Sequence, residues 1–250
     1  MKVIVKKDRD LAFYSFFIRL TLEKEKHSAA FDFITLPDGL VEKADKLKDL
    51  PLGTYLDAGR VEIWKQINNF FDDLWLKCQP ELDGVMQKIV SLAEHEKWVV
   101  KKIEQITGAS WPYEEVIIYP SILTWAGTQK NKIRVGITPP HFIEKDFIPV
   151  LLHELIHVNT SSIALNLQHG NDADEIADTL LVNKILWAMK EELGLVYRAQ
   201  RLAVPLRKYD SLTETFRTLR KEASSFKELA EKIDKLLVLS GHTPAYPLRK

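Results

Sequence analysis

The chain has 250 residues, 46% hydrophobic and 28% charged, a composition typical of a folded globular protein with one or two domains. Its 35 basic and 35 acidic side chains give zero formal net charge at pH 7, which argues against a nucleic-acid binder but is compatible with a local basic patch. Cys78 is the only cysteine, so a small scaffold held by internal disulfides is excluded. No stretch reaches the roughly 18 apolar residues of a membrane span, and residues 1–10 are too charged for a signal peptide. We expect a cytoplasmic protein without nucleic-acid or membrane partners.

Residues 1–110 are predicted to form a first region of strands and a helical hairpin. Three short elements are predicted: strands at Lys2 to Val5 and at Ala30 to Thr35, and a helix from Gly39 to Leu50. The pattern of Leu11 to Leu22 fits a strand or a helix. Apolar residues then recur at helical spacing from Asp57 to Cys78, and Pro80 begins a second helix that runs to about Ile106.

Residues 111–250 are predicted to form a second region, in which strands precede helices. Strand patterns occur at Glu115 to Tyr119 and at Lys132 to Ile137. The predicted helices run from Glu144 to Asn159, from the acidic segment near Asn171 to Leu193 before a cap at Gly194, and over Ser211 to Leu239, divided near Ser224 and Ser225. We predict an α+β fold that is predominantly helical, with a small, mostly antiparallel sheet beside the helix from Glu144.

The sequence His153-Glu154-Leu155-Ile156-His157 lies inside an apolar segment, Val150 to Val158. On a helix, residues i and i+4 lie about 40° apart around the axis, so the two imidazoles can bind one ion. Glu154 lies beside the pair, where it can hold a water without ligating the metal. The composition gives roughly 0.015 chance matches to this pattern. We therefore predict a metal site at His153 and His157, the alternative being two structural histidines.

A catalytic zinc site usually has three protein ligands, and the acidic segment Asn171 to Asp178 can supply the third. From Glu115 to Asp178, the succession of strand, histidine helix and acidic helix resembles the gluzincin, or thermolysin-like, HExxH zinc metallopeptidases. The resemblance implies a zincin-like fold. It also implies that a Glu of the second helix completes the site and that an Asp one turn later orients a histidine.

The acidic helix departs from the spacing of that family. The family places the Asp four residues after the ligand Glu, whereas Glu175 precedes Asp178 by three residues and Asp174 precedes it by four. We predict Glu175 as the third ligand, because its longer side chain reaches between two helices more easily, and Asp174 is the alternative. A capping box formed by Asp172 and Glu175 would explain the same acids without a metal.

These residues predict a zinc-dependent metallopeptidase in which His153, His157 and Glu175 hold Zn²⁺ and Glu154 is the general base of a metal-activated water. The resemblance implies that a peptide or protein substrate adds along the strand Lys132 to Ile137. Two alternatives remain open: a metal-dependent hydrolase of a non-peptide amide or ester, and a catalytically inactive zincin-like interaction protein. The other histidines, including His169, are expected to be solvated surface residues.

Overall fold

The computed structural model describes residues 1–22, 36–47, 58–122, 127–137, 147–165, 167–202 and 204–245. Most of these residues are helical and the strands form one small sheet, which confirms the predicted α+β class. The strand predicted at Ala30 to Thr35 and the predicted helix start at Glu144 lie outside the described residues. Within the described ranges, no helix combines the length and the apolar content that crossing a membrane requires.

The first part of the chain is a strand followed by helices. Its elements are β1 (Lys2–Val5), α1 (Arg9–Leu22), α2 (Leu40–Asp45), α3 (Ala58–Lys77), α4 (Gln79–Ala93) and α5 (Glu96–Thr107). The ambiguous segment from Leu11 is therefore a helix. The single helix predicted from Pro80 to Ile106 is wrong, because a turn at Glu94 and His95 separates α4 from α5. Buried apolar residues keep one spacing across that turn, so periodicity alone could not locate the break.

The sheet contains β1, β2 (Glu115–Ile122), β3 (Gly127–Gln129) and β4 (Lys132–Ile137), in the order β1-β2-β4-β3. β1 runs parallel to β2 and β2 runs parallel to β4, while β3 and β4 are antiparallel. The prediction of a mostly antiparallel sheet is therefore wrong. Two of the three pairings in the described sheet are parallel because β2 pairs with the distant β1 and with the second strand of the β3–β4 hairpin.

The strand order also corrects the predicted sheet edge. β4, the strand predicted at Lys132 to Ile137, lies between β2 and β3, so it is an inner strand and not the edge for an added peptide. The strand at that end of the sheet is β3. β1 belongs to the predicted first region and pairs with β2 of the second, and the division of the chain at residues 110 and 111 stays a prediction.

The remaining elements are helical. They are α6 (Phe147–Thr160), α7 (Gly170–Leu193), a 3₁₀ segment (Val204–Leu212), α8 (Thr213–Glu222) and α9 (Phe226–Leu239). Gly194 ends α7 with φ of 69°, as predicted for a cap, and Ser225 caps α9 at the predicted division by accepting from the backbone N–H of Glu228. Helix α6 packs against α5, α7, β3 and β4, which brings the motif helix beside both the sheet edge and the acidic helix.

Candidate metal centre

Helix α6 buries the motif because most of its circumference is apolar. Leu152 and Ile156 are fully buried on this helix, next to His153, which is only 9% exposed. Glu154 is 6% exposed, and His157 is half-buried. Polar side chains in such surroundings need partners, because an unpaired buried polar group costs about 1–3 kcal/mol. The contacts of these three side chains therefore indicate what the site can do.

The two imidazoles and one carboxylate of α7 converge on a single point. The Nε2 atoms of His153 and His157 lie 3.0 Å apart, with the rings perpendicular. Glu175 approaches both: its Oε2 is 3.4 Å from Nε2 of His153 and its Oε1 is 3.7 Å from Nε2 of His157. The structure thus brings together the three residues that the sequence predicted as ligands.

Asp178 lies one turn after Glu175 and contacts the other nitrogen of His157. Its Oδ2 is 2.8 Å from Nδ1 of His157, and the side chain is fully buried. A carboxylate at Nδ1 fixes the ring orientation and leaves Nε2 to face the point of convergence. His153 has no such carboxylate at its Nδ1, which is buried and has no hydrogen-bond partner among the described residues. Packing and the contacts of its Nε2 with His157 and Glu175 therefore orient that ring.

A second grouping of possible ligands includes Asp178. Ligand atoms of His153, His157 and Asp178 all lie within 4.8 Å of one another, which is compatible with a bound ion. The two groupings differ in the role of Asp178: its Oδ2 lies 2.8 Å from Nδ1 of His157, whereas Glu175 approaches the Nε2 atoms of both histidines. Geometry favours the set with Glu175 as ligand and Asp178 as the orienting partner.

Glu154 is held by a residue that the sequence did not single out. The hydroxyl of Thr128 on β3 donates to Oε2 of Glu154 at 2.6 Å. This bond fixes the carboxylate beside the histidine pair and connects it to the edge strand of the sheet. Thr128 belongs to a three-residue strand without a periodic pattern, so no sequence signal pointed to it.

The carboxylates around the histidines make the site attractive to cations. Burial lowers the pKa of His157, but the carboxylates of Asp178, Glu175 and Glu154 outweigh it and raise that pKa to about 10. Burial also lowers the pKa of His153, and its interactions with Glu175 and Asp178 more than compensate, so the net shift is upward. Three carboxylates thus favour positive charge here, whether it is carried by protons or by a metal ion.

The donor set fits a small divalent ion. In a tetrahedral zinc site, metal–ligand bonds of about 2.0–2.1 Å place neighbouring ligand atoms about 3.3 Å apart. The two Nε2 atoms are 3.0 Å apart, and they lie 3.4 and 3.7 Å from different oxygens of Glu175, so all three distances are close to that value. The ligand atoms line a cleft of about 930 Å³, which also contains Thr128, Glu154 and Asp174. A substrate could therefore reach the point of convergence.

The capping-box alternative is wrong. Helix α7 begins at Gly170, so Asp172 lies inside its first turn, and its buried carboxylate accepts from the Tyr209 hydroxyl at 2.5 Å and from the backbone N–H of Ala245 at 2.6 Å. The expectation that His169 is solvated is also wrong, because it is 7% exposed and its Nε2 bonds to the backbone oxygen of His242. These residues anchor the start of α7.

No protein-family model matches the sequence, and neither a curated protein nor a solved structure matches it significantly. The resemblance to gluzincins is therefore still a prediction, and it rests on the motif residues. The convergence of side chains from α6 and α7 is a property of this structure and does not depend on that resemblance.

Proposed function

We propose that the protein is a zinc-dependent metallopeptidase with His153, His157 and Glu175 as metal ligands. The observation that carries the proposal is the convergence of both Nε2 atoms and the Glu175 carboxylate at one point. Two imidazoles and a carboxylate, with one position left open, form the ligand set of many catalytic zinc sites. An ion bound there would act as a Lewis acid, lowering the pKa of a water molecule and polarising a carbonyl group.

Each of the surrounding side chains has a separate task in this proposal. Glu154 accepts a proton from the attacking water and returns it to the leaving amine. Thr128 holds Oε2 of Glu154 in place, so the carboxylate does not have to be ordered during the reaction. Asp178 keeps His157 in the tautomer that presents Nε2.

The location of the edge strand supports a peptide substrate over a non-peptide amide or ester. Among the strands that the structure describes, β3 is at the end of the sheet, and its central residue, Thr128, contacts Glu154 directly. An extended peptide that added to this edge would run past the proposed general base, with its main chain held by hydrogen bonds. A small ester would use none of these backbone groups.

The first experiment tests the metal ligands. Purified protein is stripped with a chelator, and zinc affinity is measured by competition with a chromophoric chelator. Glu175→Gln is expected to weaken zinc binding at least about a hundredfold, because it removes a charged ligand. Asp174→Asn is the matched control, since Asp174 is the neighbouring acid in the same cleft, and it should bind zinc within about twofold of the parent. The reverse result would assign the ligand to Asp174.

The second experiment tests the reaction. A library of fluorescence-quenched peptides is incubated with the zinc-loaded parent, with Glu154→Gln and with Glu191→Gln, a control at an exposed glutamate of α7. Glu154→Gln should retain zinc and lose at least about a hundredfold in hydrolysis, the usual contribution of a general base. If the parent cleaves esters or other amides but no peptide, the non-peptide hydrolase is correct. If zinc binds without any hydrolysis, the alternative of a catalytically inactive zincin-like interaction protein is correct.

A further inference from the structure

A second cleft lies on helix α7 away from the histidines. It has a volume of about 1180 Å³ and is formed by α7, the segment 196–202, the 3₁₀ segment and α8. We call it the basic groove, because its lining among the described residues contains seven lysine or arginine side chains and one carboxylate, that of Asp210. The cations are Lys184, Lys190, Arg201, Arg207, Arg217, Arg220 and Lys221. The whole chain has no net charge, so this concentration of positive charge is local.

Most of these cations lack a protein partner. Arg217 pairs with Glu214, and the Lys190 ammonium lies 5.5 Å from the centre of the Trp187 ring. The side chains of the other five have no ion pair or hydrogen bond with the described part of the chain: Lys184, Arg201, Arg207, Arg220 and Lys221. Like charges brought together in this way repel one another, and an anionic ligand would relieve the repulsion.

The surroundings of Arg220 illustrate this repulsion. Its guanidinium is half-buried, and burial together with the nearby charge of Arg217 lowers its pKa from the usual value. The groove therefore holds at least one guanidinium in surroundings that disfavour its charge. A carboxylate placed there would restore the stabilisation that water provides elsewhere on the surface.

The groove also has large apolar surfaces, which a purely electrostatic site would not need. Trp187 is 65% exposed and Val196 is 72% exposed, and both line the groove. The buried side chains of Ile176, Leu186 and Phe216 lie beneath them. Exposed aromatic and aliphatic side chains next to arginines form the kind of surface that is enriched in protein interfaces.

We infer that the basic groove binds an acidic segment of a partner polypeptide, one that carries aromatic or aliphatic side chains among its Asp and Glu residues. Carboxylates of the segment pair with the free cations, and its apolar side chains cover Trp187 and Val196. Nucleic acid would satisfy the cations through its phosphates, but it would leave Val196 and the aliphatic floor without a partner. This binding is independent of the metal centre, which uses a different cleft.

The test uses a fluorescent acidic peptide that contains leucine and phenylalanine, with binding followed by anisotropy. The double variant Lys184→Glu with Lys221→Glu reverses two exposed lysines of the groove. Its matched control, Lys65→Glu with Lys101→Glu, makes the same change at exposed lysines of α3 and α5 that do not line it. We expect the groove variant to raise the dissociation constant at least about tenfold and the control to change it less than about twofold. Thermal denaturation checks that both variants fold.

Two further measurements identify the class of partner. Trp187→Ser should weaken binding of the mixed peptide several-fold but leave binding of polyglutamate unchanged, since only the mixed peptide uses the apolar surface. A single-stranded oligonucleotide of similar charge should bind more weakly than the mixed peptide at physiological salt. Tighter binding of the oligonucleotide would overturn the inference in favour of nucleic acid. Equal binding of the mixed peptide by the parent and the groove variant would overturn it altogether.

Discussion

The buried contact between Asp178 and His157 gives the sharpest test of how the metal centre is built. Asp178→Asn keeps the size of the side chain and removes its charge. The Asn oxygen can still lie against Nδ1 of His157, so the ring keeps its orientation, but the neutral amide makes Nε2 a weaker electron-pair donor to the metal. We expect zinc to bind the variant, with lower affinity than it binds the parent.

The loss of zinc affinity in Asp178→Asn should also appear as a loss of zinc-dependent stability. Replacing a residue that orients a metal ligand usually weakens metal binding about 10–100-fold, which equals about 1.4–2.7 kcal/mol. At a zinc concentration about 100 times the dissociation constant of the parent, bound zinc stabilises the fold by about 2.7 kcal/mol. A tenfold weaker variant would keep about 1.4 kcal/mol of this at the same zinc concentration. For a chain of this length, the zinc-dependent rise in Tm should therefore be smaller by about 3–5 °C.

The assay compares Tm with and without zinc for the parent, Asp178→Asn and the control Asp174→Asn, supported by chelator competition. The expected order of zinc affinity is parent and control first, Asp178→Asn next and Glu175→Gln last. If Asp178→Asn abolished zinc binding while Glu175→Gln retained it, Asp178 would be the third ligand and the role given to Glu175 would be refuted. An unchanged zinc affinity of Asp178→Asn would refute the orienting role.

Three further results are expected. Thr128→Val removes the hydrogen bond to Glu154 and should lower the rate of hydrolysis about 10–100-fold with zinc affinity unchanged, since hydrogen bonds to charged groups contribute about 1.5–3 kcal/mol. Thr128→Ser keeps the hydroxyl and should hydrolyse at the rate of the parent, so an equal loss in both variants would contradict the positioning role of Thr128. Because the pKa of His157 is raised to about 10, zinc must displace a proton from its imidazole near neutral pH, and zinc affinity should fall about tenfold per pH unit for each proton displaced. Calorimetry in buffers of different ionisation enthalpy measures this proton release, and binding without proton release would argue against His157 as a ligand. Burial raises the pKa of Cys78 to about 11, so a thiol reagent at pH 8 should label it only after unfolding, and rapid labelling of the native protein would contradict its burial.

Helix α7 connects the two proposed sites. Glu175 and Asp178 lie on this helix at the metal centre, while Lys184 and Trp187 lie on it at the basic groove. The two clefts are lined by different residues, so the groove variants should leave zinc affinity unchanged, and Glu175→Gln should leave binding of the acidic peptide unchanged. Measuring both properties in both variants separates the two proposals, because neither outcome depends on the other.

The amino-acid sequence determined what is local. The spacing of His153 and His157 on one helix places both rings on one face wherever that helix lies, and Gly194 and Ser225 mark helix ends through backbone chemistry within a few residues. The spacing of apolar residues identified most helices, and the alternation of side chains identified the strand β4, because both patterns repeat within a few residues. Such features depend on neighbours along the chain, so a pattern can reveal them.

Tertiary structure decided what depends on distant partners. β4 is an inner strand and β3 lies at the edge of the described sheet, because β4 pairs with the earlier strand β2 as well as with its hairpin partner β3. The contact of Thr128 with Glu154 and the burial of Asp172 against Tyr209 follow from the packing of elements far apart in sequence. Equal numbers of positive and negative charges along the chain also hid the basic groove, since only folding gathers its cations on one surface. Periodicity and composition average over the chain, whereas these contacts depend on where each element packs.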